Sequence, residues 1–514
     1  MRHPERFAFT AAALACALCF VASDAAAADP AATPWPTAGW QTSAPEAQGV
    51  SSSALAELVD FGAANDMDSL LVVRHGRIVA EAYYAPFRPG LRHSVNSVTK
   101  AVVATLTGIA SKIGDVRNLD EPVLDSFAFR TIDRVDADKR AMTIAQLLDS
   151  TSGLDWQEPI SDAPPTSMLQ MERSRDWIGF VLDRPMAQRP GTGFNYDSGA
   201  WHLMSAILAK KTGTDTLAYA RRTLFEPLGI ADARWRADPQ GIRIGGYGLS
   251  LQPRDMAKIG YLYLHGGEWD GQLLLPRGWT EQVFNASVDM RLGAGVPFRY
   301  ARGWWSLPDR RAVMAVGFLH QLIIVLPDID VVAVVTGRLH YPFLPLIDRI
   351  AAAAVSRSPL APDEVGVARL AERVRTAAVE ERTRVGPASP LAAEVSGRTW
   401  KFAANLYGLS SLRLDLATSE PRYEVLFERA AGAPRRLGGP IGLDGLFRVQ
   451  DDETGLPMAV KGRWLNDHVF ELVSRSITEG LVTTATHDFR GREVDLSISS
   501  NGGFNARLTG QAGN

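Results

Sequence analysis

The 514-residue sequence predicts an α+β fold: one antiparallel sheet with helices packed on it and a helical lobe, followed by a C-terminal all-β domain. Three observations carry this expectation. Two β-prone runs near the N-terminus and four more after residue 300 bracket a helical middle. One helix of that middle is apolar almost all round. After Leu391 the helical spacing gives way to short β-prone runs punctuated by Gly and Asp. A chain of this length can hold two or three domains and a large core. Its net charge of −3 offers no electrostatic footprint for nucleic acid, so no nucleic-acid partner is expected.

At the N-terminus, Arg2 and Arg6 precede an apolar run from Phe7 to Val21, and Ala25 to Ala28 offer small-residue cleavage sites. This is the pattern of a secretory signal peptide over residues 1–28, with the mature chain in the periplasm or secreted. The apolar run is short for a bilayer, so no stable membrane insertion is expected after cleavage. Both cysteines, Cys16 and Cys19, fall inside the signal. The mature chain then has no thiol, disulfide or thiolate metal site.

Residues 36–356 read as the main domain. An extended Pro-, Ala- and Thr-rich entry leads to a helix over 53–65, where Leu55, Leu58 and Val59 keep helical spacing. Strands over 69–74 and 77–84 join at His75-Gly76 as a hairpin. The buried helix follows Ser97 and Lys100. Val102, Leu106, Ile109 and Ile113 line one side, Ala101, Val103, Ala104, Gly108 and Ala110 leave little polar surface elsewhere, and Gly114 is its stop. A short helix over 143–148 ends at Ser150-Thr151-Ser152-Gly153-Leu154. The turn cluster Pro190-Gly191-Thr192-Gly193 leads through Tyr196 into a helix over 201–211. After a helix over 253–265 come strands over 302–307, 312–318, 321–326 and 331–335, and a helix over 344–355 closes the domain. Residues 357–390, charged, Ala-rich and Pro-bounded, read as a helical linker. Residues 391–512 form the all-β accessory domain, with strands expected near 412–416, 423–428, 446–449, 459–464, 469–473, 481–487 and 494–499.

The chemistry gathers at Ser97 and Lys100. Three apart on a helix, they share one face and can touch. No other lysine in the chain has a serine three residues before it. The plainer alternative is a serine that caps the helix and a solvated lysine. A lysine on the first turn of a buried helix instead loses solvation, its pKa falls, and the neutral amine can activate the serine. Tyr196, whose phenol has a reference pKa of about 10 beside about 10.4 for lysine, is a candidate to share that proton. The strand rim Val316-Gly317-Phe318-Leu319-His320-Gln321 carries a glycine that lets backbone approach a ligand. One backbone N–H from this strand, with that of Ser97 at the helix start, would form a candidate oxyanion hole. No His-x-His or His-Glu-x-x-His run occurs, so neither a metal nor another cofactor is expected.

Four ordered stretches carry a family resemblance: Ser97-Val98-Thr99-Lys100, Ser150 to Trp156, Pro190 to Ser198, and Tyr247-Gly248-Leu249-Ser250 running on to Ala257. Together they resemble serine hydrolases of the β-lactamase-related, penicillin-recognising superfamily. The branch they resemble most is that of 6-aminohexanoate-dimer hydrolase and class C β-lactamases. The resemblance implies a β-lactamase/transpeptidase-like fold, with Ser97 as acylated nucleophile, Lys100 as general base and Tyr196 relaying a proton to the leaving group. Ser198 would complete the tyrosine element, the backbone N–H groups of Ser97 and Phe318 would hold the oxyanion, and Asp155, Trp156, Ser198, Leu319 and His320 would border the substrate cleft. The implied partner is a small amide, ester or peptide. The third motif of the superfamily, commonly Lys-Thr-Gly, His-x-Gly or Gly-Gly-Gln, is here Phe318-Leu319-His320-Gln321, with bulky residues expected to narrow the cleft. The literal Lys211-Thr212-Gly213 ends a helix and is a decoy. Asp197 adds a charge that the motif does not require. A second reading, favoured by the altered third motif, is a catalytically weak cell-wall-binding or sensing protein that retains the fold.

Overall fold

A computed structural model describes residues 34–158, 167–292, 296–338, 342–428 and 434–513. The expected signal peptide, with Cys16 and Cys19, lies outside the described residues.

The hairpin forms as expected, Met67–Arg74 against Arg77–Tyr83. Every residue of Met67–Arg74 is buried, the mark of a strand covered on both faces. It pairs antiparallel with Val331–Gly337, and Gln321–Leu326, Ala312–Gly317, Trp304–Leu307, Arg299–Ala301 and Val288–Asp289 follow in that order to one edge. At the other edge Gln41–Thr42 adds a short parallel pairing to Arg77–Tyr83, so the nine-stranded sheet is mixed. The expected strand over 302–307 begins two residues late. Arg302 and Gly303 both have positive φ and form a two-residue hairpin turn between Ala301 and Trp304.

Helix Pro253–Leu264 lies on this sheet, where Gly260 leaves room for Ile323 and Val332. The helix Val98–Ile113 is buried from Val98 to Ala110 and ends at Gly114, whose φ of 93° suits glycine at a helix end. Ser52–Ala64, Phe343–Ala353 and Glu364–Ala377 pack as a separate group of helices. The linker helix is therefore shorter than residues 357–390. Asp363 caps its start, and past Ala377 the chain is held on the β domain instead: Glu380 accepts from the Phe447 N–H, and Thr383 N–H donates to Gly445.

The C-terminal domain is a ten-stranded meander that nearly closes into a barrel. Thr399–Phe402 pairs with both Leu409–Asp415 and Asn505–Ala512, and Gln450 bridges the two outer strands by donating to the Gly438 carbonyl. Three strands lie beyond the seven expected: Thr399–Phe402, Arg435–Pro440 and Asn505–Ala512. Two of these contain glycine, and Arg435–Pro440 ends in proline, which weakens their strand signal. From Trp35 onward the two sheets belong to one unit, and Tyr83 and Phe87 of the first domain share an apolar cluster with Ala459 and Ile477 of the barrel.

Candidate functional site

Ser97 stands at the N-terminus of the buried helix, but its hydroxyl caps nothing. It accepts instead from the Lys100 ammonium, with Nζ 3.0 Å from Oγ. Lys100 is 1% exposed, and its other two donors reach Ser198 Oγ at 2.9 Å and the Gly246 carbonyl at 2.7 Å. Burial pushes the amine down to about 8, against the opposing pull of Glu158 and Asp197. The solvated-lysine alternative does not hold here.

Tyr196 lies in the same cluster, partly buried, with Lys100 Nζ 4.6 Å from its ring centre and a hydrogen bond to Ser97. Burial first, then Tyr300 and Glu158, raise its phenol well above the ordinary value. The amine and phenol are thus driven apart, rather than matched as their reference values suggest. Lys100 is the group poised near neutrality, and Tyr196 stays a neutral hydrogen-bond donor.

Ser198 opens the helix Ser198–Thr212 and is clamped between Lys100 and Glu158. Its hydroxyl donates to Glu158 Oε1 at 2.7 Å, and its N–H donates to Oε2 at 2.9 Å. The sequence reading missed Glu158, although it lies two residues beyond Trp156, whose indole N–H donates to the same carboxylate at 2.8 Å. Asp197 serves the fold. It caps the Ser198–Thr212 helix, accepting from Ala200 N–H at 2.8 Å and from Ser152 Oγ at 3.3 Å. Burial pushes its carboxyl up to about 7.

Gly245 and Gly246 are a second omission. A Cβ on Gly245 would sit 1.9 Å from the Trp201 carbonyl oxygen, and one on Gly246 would sit 2.8 Å from Ser198 Cβ. Only a chain without side chains passes close enough to offer the Gly246 carbonyl to Lys100. The closeness of this Gly-Gly pair to Ser198 is set by the fold and not by local sequence.

The opposite wall is the turn after Ala312–Gly317. A Cβ on Gly317 would lie 2.4 Å from the Val95 carbonyl oxygen, so this strand end rests on the turn that carries Ser97. Asn96 donates to the Phe318 carbonyl at 3.0 Å, tying Phe318 to the residue before Ser97. The Phe318 ring is 41% exposed. Leu319 and His320 are not spread along an open strand rim. Both adopt positive φ, both are buried, and the His320 ring packs 4.6 Å from that of Phe343. The buried Gln321 amide fixes the turn by donating to the carbonyls of Phe318, Leu319 and Gly337. Asp155 turns to Arg184, at 3.0 Å, and Trp156 is buried, with its indole on Glu158. Lys211 of the decoy motif pairs with Glu121. Among the described residues no group of His, Cys, Asp and Glu is arranged to hold a metal ion, and no helix is long and apolar enough to cross a membrane.

Comparison with known proteins agrees with this geometry. The Beta-lactamase family model matches residues 53–356. The 6-aminohexanoate-dimer hydrolase of Paenarthrobacter ureafaciens is 27% identical over 285 residues, covering 52% of this chain and 71% of that protein. A solved structure from Bacillus anthracis, assigned as a 6-aminohexanoate-dimer hydrolase, superimposes with a TM-score of 0.50 at 18% identity. It covers 67% of this chain and 88% of the other, a likeness of fold.

Proposed function

Because the chain belongs to the β-lactamase family, and is with it a serine hydrolase, we propose that Ser97 attacks a small amide or ester and forms an acyl-enzyme. Ser97 Oγ adds to the carbonyl carbon while its proton passes to neutral Lys100. The oxyanion of the tetrahedral adduct is held by the backbone N–H groups of Ser97 and Phe318. Collapse of the adduct breaks the C–N or C–O bond, and the leaving nitrogen or oxygen takes a proton delivered through the Tyr196 hydroxyl. Water, giving its proton to Lys100, then attacks the ester on Ser97 and releases the acid.

One observation carries this reading: a buried amine, lowered to about 8, lies 3.0 Å from the Ser97 hydroxyl. The test is labelling with an activated fluorophosphonate, with the adduct mapped by peptide mass spectrometry. A single adduct on Ser97, abolished in Ser97→Ala, is expected; a chain that turns over esters without one would overturn the mechanism.

For substrate, the likeness to the Paenarthrobacter 6-aminohexanoate-dimer hydrolase points to short linear amides, with esters as easier surrogates. Poor turnover of β-lactams is expected, because Phe318-Leu319-His320-Gln321 stands where the superfamily commonly has Lys-Thr-Gly. Rapid hydrolysis of a chromogenic cephalosporin would contradict this. Export to the periplasm or medium is proposed from the charge and apolar pattern of residues 1–28.

A further inference from the structure

His93 and Ser94 lie four and three residues before Ser97, and their supports come from both domains. Ser94 N–H donates to the Thr478 carbonyl of the barrel at 2.6 Å, and the next residue, Val95, donates to Leu249 at 2.9 Å. The His93 ring is fully buried and held at both nitrogens, Nδ1 on the Ser94 carbonyl at 2.9 Å and Nε2 on Asp68 Oδ2 at 3.2 Å. Asp68, on Met67–Arg74 and fully buried, also accepts from Arg338 Nε and from Arg475 of the barrel, each at 2.9 Å. Arg475 is buried as well and donates a further bond to the Ala85 carbonyl at 3.3 Å.

The barrel surface is shaped to this spot. Gly480, at a φ of 67°, approaches so closely that a Cβ would fall 2.6 Å from the Gly337 carbonyl oxygen and 3.2 Å from the His93 ring. Gly337 is in turn gripped by Gln321, the residue that fixes the Phe318 turn. The barrel therefore touches the supports of both walls of the site: the strand leading to Ser97, and the strand end behind Phe318.

We propose that the C-terminal barrel is a working part of the active site, and that Arg475 is a positioning residue for Ser97, acting through Asp68 and His93. A guanidinium on Asp68 fixes the carboxylate, the carboxylate fixes the imidazole, and the imidazole fixes the Ser94 carbonyl three residues from the nucleophile. The Thr478 carbonyl holds the other side of the same residue. This inference rests on Ser97 being the nucleophile.

The test uses the full chain. Arg475→Met removes the charge and keeps the length; Arg475→Lys restores the charge. Phe470→Leu, in the barrel core and away from the Asp68 cluster, supplies a control for lost stability. Displacing a nucleophile by a fraction of an ångström lowers turnover by about tenfold or more. In Arg475→Met, kcat on an activated ester and the rate of fluorophosphonate labelling should therefore fall together by about that factor, with KM within about twofold, as expected of lost positioning rather than lost substrate binding. Arg475→Lys should recover most of the loss, and Phe470→Leu should melt earlier at wild-type kcat. Wild-type kcat and labelling in Arg475→Met, or equal kcat losses in Arg475→Met and Phe470→Leu, would overturn the proposal. Should Arg475→Met not fold, Gly480→Ala decides it in the same assays: a fall in kcat and labelling is expected, and wild-type kcat would overturn the proposal. Ser97→Ala run alongside separates the two readings. Turnover that survives it sinks the nucleophile and this inference together, whereas Ser97-dependent turnover indifferent to Arg475 sinks this inference alone.

Discussion

At the scale of single residues the site turns on which state of Lys100 the fold favours. Three acceptors surround the amine, yet burial outweighs them and brings it to about 8. A base that must be neutral gives a rate that rises with pH. We expect kcat/KM on an activated ester to climb about tenfold per pH unit up to pH about 8 and then level, with the limb read from a pH–rate profile. The same displacement acts on stability. An amine whose pKa is lowered by folding contributes stability above its unfolded value of 10.5 and loses it as pH falls through about 8. Measured against Lys100→Met, the wild type should therefore gain about 3 kcal/mol between pH 8 and pH 10.5, as one pKa unit is about 1.4 kcal/mol. Denaturant titrations at the two pH values check this, and a difference that shrinks with rising pH would contradict it. Glu158 supplies a further residue-scale test. Its charge favours the ammonium, so Glu158→Gln should shift the rising limb below pH 8, whereas a limb moving to higher pH would show that the Glu158 carboxylate does not stabilise the ammonium.

At the scale of elements, two glycine contacts set how closely the walls approach the helix of Ser97. Gly317→Ala places a Cβ against the Val95 carbonyl, a backbone atom that no rotamer change can clear, at 2.4 Å. Overpacking of this kind costs about 1–3 kcal/mol, and here it pushes the Phe318 turn away from Ser97. We expect a lower melting temperature and at least a tenfold loss of kcat; wild-type kcat would mean that the Phe318 N–H takes no part in holding the oxyanion. The elements themselves were largely legible from sequence. Alternating and continuous apolar runs located the four central strands, and the all-apolar helix after Ser97 declared its burial. What stayed hidden was pairing between distant elements. Ser198 reaches Glu158 across 40 positions, and Lys100 reaches Gly246 across 146, so no local period records either contact. The run 302–307 was misjudged because Arg302 takes a left-handed conformation that its side chain does not announce. The linker helix stops early because Glu380, past Ala377, pairs with Lys461 of the barrel and not with a neighbour on its own helix.

At the scale of the whole molecule, the C-terminal domain has the composition of an appendage and the contacts of a core element. Asp68 sits at the junction, with Arg338 and His93 on its own side and Arg475 from the barrel. The two guanidiniums and the imidazole hold its carboxyl below the ordinary value although burial alone would raise it. Removing one member of a buried charge cluster leaves the others desolvated and uncompensated, at about 3–5 kcal/mol. Beside it, Tyr83 and Phe87 meet Ala459 and Ile477, so separating the domains also wets an apolar cluster. Energy of this size is a large share of the stability of any chain, and it couples the two sheets. We therefore expect the full chain to unfold in one calorimetric transition, with near-ultraviolet signals from both domains lost together. Asp68→Ala should split that transition in two, the barrel and the hydrolase domain melting apart, with the Ser97 labelling rate following the hydrolase half. Two transitions already present in the wild type would mean that the barrel is merely tethered. Acid provides the independent check, since a lowered carboxyl contributes stability above its unfolded value and loses it as pH falls through the folded one. Coupling between the domains should accordingly weaken only below pH about 4, and in Asp68→Asn that pH dependence should be absent.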